Sequence, residues 1–437
     1  MKKALIITYY WPPSGGAGVQ RWVKFVKYLR NSGWEPVVYV PENPHYPVLD
    51  RSFEKDIPPD ITVLKHPIWE PYEFYKKFIG MKKEEKVQHG FIQEKKRNSL
   101  KLTISNWIRS NFFIPDARKF WIKPSVKYLS GYFETHEKPD IIISSGPPHS
   151  MHLIAMGLKD KLRIPWIADF RDPWTEIDFY SQLKLTKWAD RKHRRLEKQV
   201  LQKADKVVYI GWHGAKRLEM LGAKEVEVIT NGFDEEDIQV DSNAVNEKFV
   251  LSHTGSLNKE RNHEVLWQAL EDLVNENPDF KQKLQINIIG KVDRSVSESI
   301  KNHNLEPFFK KTDYLPHDKM NEIYSSSAIL LLLLNNTPNI EGIITGKIFE
   351  YIATRKPVLC IGSSKGDAAK IIDETKTGKA FELDDKEKIK AFVLEKFEDY
   401  TKNILPQPDV EEIKKYSRKE LTKKLAALMD KIAQKPG

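Results

Sequence analysis

The sequence predicts an α/β chain of two domains, each a parallel sheet covered by crossover helices. Three observations carry this prediction. The chain has 437 residues, about three times the common single-domain length, so each half is long enough to bury its own core. Short Ile/Val/Leu-rich runs alternate with longer segments of helical period, the pattern of buried parallel strands joined by helices. The alternation occurs twice, on either side of a polar, turn-rich stretch at residues 229–248. The boundary is expected near residue 240.

In chain order, the strand-like runs of the first half are Ala4 to Thr8, Pro36 to Val40, Ile141 to Ser144, Trp166 to Ala168 and Val207 to Ile210. Those of the second half are Phe249 to His253, Gln285 to Ile289, Ile329 to Leu334 and Pro357 to Ile361. Residues 66–135 break the alternation as an aromatic and basic insert, too long for an ordinary loop. Within it Leu100, Ile104, Trp107, Ile108 and Phe112 recur at three-to-four spacing, which predicts an amphipathic helix. Its stripe reads first as core-facing and second as membrane-facing. From Asp409 on, Val410, Ile413, Tyr416, Leu421, Leu425, Leu428 and Ile432 are spaced for one or two helices, with Asp409 and Glu412 as the starting cap.

Hydrophobic residues make up 40% of the chain and charged residues 30%, a globular balance that excludes collagen-like and wholly disordered classes. The longest purely apolar run, Ala328 to Leu334, is far short of the ~20 residues of a membrane span. The start, MKKALIITYYWPP, lacks an A-x-A-like cleavage site and reads as a first buried strand rather than a signal peptide. One cysteine, Cys360, rules out an intrachain disulfide, and its apolar surroundings point to a core thiol in a reducing cytoplasm. Net charge is +10, but it is concentrated. Residues 66–127 hold 14 Lys and Arg against 6 Asp and Glu, residues 184–206 hold 9 against 3, and the remaining chain is net −4. Such clustering suggests a surface for an anionic partner, a membrane face above all, or a plain solvated face.

Four clusters carry chemistry. After the first strand, Gly15, Gly16 and Gly18 form a turn that opens a helix, where unpaired backbone N–H groups suit a phosphate; a purely structural turn is equally open. As a dinucleotide fingerprint the turn fails, because Arg21 stands where the third glycine belongs. Asp169, Arg171 and Asp172 follow a strand, as a structural network or at a substrate cleft, and His149 and His152 follow another without the further ligand a metal site needs. Gly255 ends a strand before Lys259 and Arg261, cations placed for a diphosphate at a helix start. Gly342 and Gly346 precede a helix with Glu350, where a carboxylate can accept both hydroxyls of a ribose.

In this order the motifs resemble those of retaining GT-B glycosyltransferases of the family-4 type, over nearly the whole chain outside the insert. Pro12 to Gly16 match the family's P-x-x-G-G loop, Asn231, Gly232 and Asp234 its N-G-x-D turn, Gly255 and Leu257 with Arg261 its G-R-L strand end, and FEYIATRKPVL the second half of its E-x7-E signature. The resemblance implies two Rossmann-like domains facing each other across a cleft: 1–240 binding the acceptor, 241–405 binding the donor, and 406–437 a helix crossing back to the first. It implies sugar transfer from a nucleotide-diphosphate sugar to an acceptor hydroxyl, on a glycan or lipid-linked glycan, with retention. Gly15, Gly16, Gly255, Arg261 and Lys347 would hold the diphosphate, Glu350 the ribose and Glu341 the sugar; Asp169, Arg171 and His149 would serve the acceptor side. No D-x-D triplet occurs, so metal-independent transfer without a cofactor is expected.

Three positions depart from the family pattern: Ser256 replaces the arginine of G-R-L, Glu341 lies nine rather than eight residues before Glu350, and Arg171 replaces the usual histidine of H-D-x-W-P. The resulting RDPW form looks like a branch that builds surface polysaccharide, lipopolysaccharide included, for the cell envelope. The expected location is therefore cytoplasmic, peripheral on the inner membrane face. Competing readings are a sugar-nucleotide epimerase of the same architecture and a transferase-like scaffold without catalysis; a nucleic-acid partner has no motif behind it.

Overall fold

The computed structural model describes residues 1–46, 48–71, 100–238, 247–313 and 319–434. The chain divides into two compact units, Met1–Thr230 together with the stretch from Leu421 on, and Asn231–Glu420. The residue-240 boundary expected from the sequence lies outside the described residues; the units part at Thr230 and Asn231 instead.

Among the described residues the first unit holds the strands β1 (Lys2–Ile7), β2 (Trp34–Pro41), β3 (Thr62–His66), β4 (Ile141–Gly146), β5 (Trp166–Phe170), β6 (Lys206–Tyr209) and β7 (Val226–Val228). They pair in parallel, in the order β3-β2-β1-β4-β5-β6-β7. Its helices are α1 (Ala17–Leu29), α2 (Leu100–Phe112), α3 (Lys119–Thr135), α4 (Ser150–Leu162), α5 (Lys187–Lys203) and α6 (Trp212–Met220). The two-residue period of a strand sorts β1 between two cores. Leu5 and Ile7 join Trp121 and Leu129 of α3 and Ile154 of α4 on one face. Ala4 and Ile6 join Val19, Trp22 and Val26 of α1 on the other.

The second unit holds β8 (Phe249–Thr254), β9 (Leu284–Ile289), β10 (Phe309–Thr312), β11 (Ile329–Leu333), β12 (Val358–Ile361) and β13 (Gly378–Phe381), in the parallel order β10-β9-β8-β11-β12-β13. Around them lie α7 (Glu264–Glu276), α8 (Pro278–Lys283), α9 (Arg294–Asn302), α10 (Met320–Ser326), α11 (Gly346–Ala353), α12 (Asp367–Thr375), α13 (Lys386–Thr401) and α14 (Val410–Lys414). Phe249, Leu251, Ile286 and Leu331 pack on Leu266, Trp267 and Leu270 of α7. In both sheets the strand order reverses at a central pair, β1 with β4 and β8 with β11, and open α/β sheets bind ligands at the carboxyl ends of such a pair. Each unit is thus a Rossmann-like α/β domain with a parallel sheet, as the sequence predicted.

The last helix, α15 (Arg418–Ala433), begins in the second unit and belongs to the first from Leu421 on, later than the expected break at 406. Leu421, Leu425, Met429 and Ile432 lie on one stripe and complete the α1 face of the core. Lys2 donates to Asp430 at 2.7 Å, and Lys424 donates to the Val228 carbonyl at 2.7 Å. As expected, Asp409 caps the preceding turn by accepting from the Glu412 amide at 3.2 Å.

Two expectations for the insert change. α3 is an ordinary crossover helix with Trp121, Leu129 and Phe133 in the core, so it is not part of an insertion. α2 forms where the spacing predicts, but Ile104, Trp107, Ile108 and Phe112 are exposed rather than core-facing. Residues 72–99 of the insert lie outside the described residues. No described helix is long and apolar enough to cross a membrane.

Candidate functional site

In the second unit β8 runs into Gly255, whose φ of +92° is left-handed and favours glycine. A Cβ there would meet Lys347 Nζ at 2.6 Å, so the missing side chain is what lets the ammonium lie against the backbone. Lys347 stands in the first turn of α11, and its Nζ is 3.5 Å from His253 Nε2. His253 Nδ1 donates to the Leu331 carbonyl at 3.0 Å, which leaves Nε2 as the nitrogen that accepts from Lys347. Burial, and then the Lys347 charge, keep His253 neutral well below its usual value.

Arg261 is aimed at the same corner. Its Nε donates to Asn335 Oδ1 at 2.7 Å and its Nη1 to the Ser256 carbonyl at 3.0 Å. Ser256 thus serves through its backbone as the seat of Arg261. Burial, followed by repulsion from Arg261, pulls the Lys347 ammonium down to about 7, with Glu350 opposing. Two cations held close enough to repel one another form a place where a diphosphate is welcome. The start of α11 adds to it: Thr345 at the N-cap makes no side-chain cap bond, and its buried Oγ1 has no partner.

One turn further along α11, Glu350 accepts from the Tyr324 hydroxyl at 2.5 Å. Tyr351 accepts from the Thr254 amide at 3.1 Å and so ties α11 to the end of β8. Burial and then the Glu350 charge raise Tyr324 well above its usual value, so it stays the proton donor that fixes Glu350. Gly255, Arg261, Lys347 and Glu350, singled out from the sequence, therefore belong to one corner of this unit. Glu341 is exposed in the 340–342 turn, its backbone against Gly366. Sequence reasoning missed His253, Asn335, Tyr324 and Tyr351. Their only signal was position at the ends of β8 and β11 and in the helices beside them.

In the first unit the glycine turn is partly occupied. The Gly15 amide donates to the Val48 carbonyl at 2.9 Å, and Gly16 has a left-handed φ of +95°. The N-terminus of α1 faces Arg171: a Cβ on Gly18 would meet its Nη1 at 2.5 Å. Arg171 donates from Nε to Ser145 Oγ at 3.1 Å and from Nη2 to the Pro147 carbonyl, with its guanidinium 5.8 Å from the Tyr10 ring centroid.

Asp169 has a structural place. It is buried, and it accepts from Arg21 Nη2 at 2.8 Å and Nε at 3.1 Å, from Trp22 Nε1 at 2.9 Å and from Ser145 Oγ at 3.1 Å. Those donors take up a carboxylate's lone pairs and leave none for an acceptor hydroxyl. Arg21 also donates to the Ile229 and Thr230 carbonyls, both at 2.9 Å. The residue that replaces the third glycine is thus a buried tie for this edge of the sheet.

His149 stacks flat on Trp174, with ring centroids 4.5 Å apart and planes at 2°, and its buried Nδ1 has no partner. Burial above all holds it neutral, well below its usual value. His152 bonds Ser144 Oγ through Nδ1 at 2.8 Å and is held down to about 3 by burial. Among the described residues no three His, Cys, Asp or Glu side chains gather as a metal site requires.

Comparison with known proteins gives two family matches, one centred on each unit. Residues 94–237 match the model described as Glycosyltransferase Family 4, and residues 248–399 match the model described as Glycosyl transferases group 1. A search of curated protein sequences returns no match. Among solved structures, Anabaena HepE in complex with UDP is 14% identical with a TM-score of 0.63, covering 99% of this chain and 100% of that one. Sucrose-phosphate synthase from Thermosynechococcus elongatus is 11% identical at a TM-score of 0.62, covering 99% of both. S. aureus TarM, in complex with fondaparinux, α-GlcNAc-glycerol and UDP, is 11% identical at 0.59, covering 98% and 100%. At these identities the structures speak for the fold, and the two family matches speak for glycosyl transfer.

Proposed function

We propose that this GT-B glycosyltransferase moves a sugar from a nucleotide-diphosphate sugar to a hydroxyl of a glycan or lipid-linked glycan in surface polysaccharide synthesis, with retention and without a metal ion. The observation that carries the reading is the Arg261–Lys347 pair beside Gly255 and the uncapped start of α11. Charge dominates the barrier of this reaction. As the bond from the anomeric carbon to the β-phosphate oxygen breaks, negative charge gathers on the diphosphate and positive charge on the sugar, so fixed cations at the phosphates do most to stabilise the transition state. The new bond to the acceptor oxygen forms on the same face of the sugar, and the acceptor's proton passes to the departing phosphate oxygen. No carboxylate nucleophile is required.

Glu350, held by Tyr324, takes the ribose hydroxyls, and the solved complexes of HepE with UDP and UDP-glucose support a nucleotide-diphosphate sugar as the donor. Acceptor recognition falls to the first unit, where neutral His149 can accept a hydrogen bond from a hydroxyl and Arg171 can hold an anionic group; Asp169 supports them by fixing Arg21 and Ser145. The test is release of free nucleotide from nucleotide sugars, with and without glycan or lipid-linked acceptors. Transfer predicts release that depends on the acceptor and a product sugar with the donor's anomeric configuration. Acceptor-independent change of the donor would establish the epimerase reading instead.

A further inference from the structure

The described end of the first basic stretch, residues 100–127, meets the second, 184–206, on one face of the first unit, and that face is apolar as well as cationic. On α2 the stripe of Ile104, Trp107, Ile108 and Phe112 is 39–54% exposed. Asn111, buried beside Phe112, fastens the end of α2 to the segment before α5: its Nδ2 donates to the Lys184 carbonyl at 3.4 Å and its Oδ1 accepts from the Thr186 amide at 2.6 Å. Two residues further on, Trp188 is 58% exposed, with the Lys192 ammonium 4.9 Å from its ring centroid. Lys119 donates to the Phe112 carbonyl at 2.6 Å and lies 4.8 Å from the Phe120 ring. Phe120 in turn meets the exposed Trp69 edge to face at 4.8 Å. Burial, and then the Lys192 charge, lower the Lys119 ammonium, so the α3 and α5 ends of the patch lie within Coulomb range.

Among the described residues the charge on this face is nearly all of one sign. Lys184, Lys187, Arg191, Lys192 and Arg195 are exposed, whereas the acids of α5 are engaged: Asp190 by Arg194 and Tyr180, and buried Glu197 by Thr175. Exposed aromatic and aliphatic side chains on this scale mark a contact surface rather than ordinary solvent exposure. An isologous contact with a second copy would set like charges against each other. Nucleic acid rewards phosphate contacts and stacking, and gives Ile104 and Ile108 nothing to do. A bilayer with acidic headgroups uses both features, since aliphatic side chains enter the acyl boundary, indoles sit at headgroup level and lysines meet the surface charge.

We propose that α2, the start of α3 and the 184–195 segment form one docking face for an anionic lipid bilayer. The proposal deepens the transfer reading by naming the surface that brings the enzyme to a lipid-linked acceptor, and rests on that reading for this role alone. The test floats the full chain with vesicles of phosphatidylcholine, with or without an equal share of phosphatidylglycerol. Two exposed double variants are compared with wild type, Trp107→Ser with Phe112→Ser, and Lys187→Glu with Arg191→Glu. Wild type should float with the anionic vesicles only, and each pair should weaken that binding on the order of tenfold or more. Both should keep the wild-type thermal response to nucleotide sugar, which shows that they fold. Binding that survives both pairs, or a wild-type chain that ignores anionic vesicles while retaining RNA or self-associating, overturns the proposal. Vesicle binding by a chain that responds to no nucleotide sugar upholds this face and counts against the transfer reading.

Discussion

Lys347→Ala should lower kcat/KM for sugar transfer by about a hundred- to a thousandfold, the usual cost of removing one fixed donor from a developing oxyanion. Most of the loss should fall on kcat, because the diphosphate carries most charge as the sugar departs. The Lys347 ammonium lies against a glycine with no side chain to shield it, beside a neutral His253 and an Arg261 that repels it. Its value of about 7 against 10.5 in an unfolded chain gives two pH trends of opposite sign. Between about 7 and 10.5 the unfolded chain holds the extra proton, so unliganded stability gains from this group as pH rises, and below 7 the gain is absent. A bound diphosphate favours the charged form, so affinity for a nucleotide sugar should fall as pH climbs above 7. Calorimetric titration checks this, and in Lys347→Ala this component of the slope should vanish. A Lys347→Ala enzyme with wild-type kcat/KM would remove the lysine from the site.

Asp169→Asn should act on stability first. The substitution keeps the shape of the side chain but leaves Arg21 buried without its countercharge, and breaking one partner of such a pair costs about 3–5 kcal/mol. Trp22 and Ser145 would also lose a charged acceptor. Of the 11 tryptophans only Trp267 lies beyond Thr230, so tryptophan fluorescence in urea reports mainly on the first unit. Its midpoint should drop markedly, while nucleotide-sugar binding by the folded variant persists. An Asp169→Asn protein of unchanged stability but without transfer would make Asp169 a catalytic residue after all.

This contrast shows where the sequence was legible. Buried central strands announce themselves as apolar runs, and β1, β4, β8 and β11 lie where those runs fall, which places both sheet reversals. The edge strands β3, β7, β10 and β13 were missed because TVLKH, VEV, FKKT and GKAF are short and alternate or carry charge, as sheet edges do. Cations and glycines near a strand end pointed to the corner of Gly255, Arg261 and Lys347, since each has a local reason to be there. Asp169 was left open between a structural network and a substrate cleft because its partner, Arg21, lies 148 residues away and only the fold brings the two together. The α2 stripe misled for a related reason: a helical period reports an apolar face but not what covers it.

The central claim is that the second unit holds a nucleotide-diphosphate sugar through Arg261, Lys347 and Glu350. The most direct measurement is a thermal-shift panel of UDP, GDP, ADP and CMP with their common sugars, on wild type and on Glu350→Ala. A ligand that binds only the folded state raises the melting temperature by mass action. One nucleoside diphosphate and its sugar should stabilise wild type, and Glu350→Ala should lose the response. Equal stabilisation of both proteins, or none by any donor, would contradict the claim.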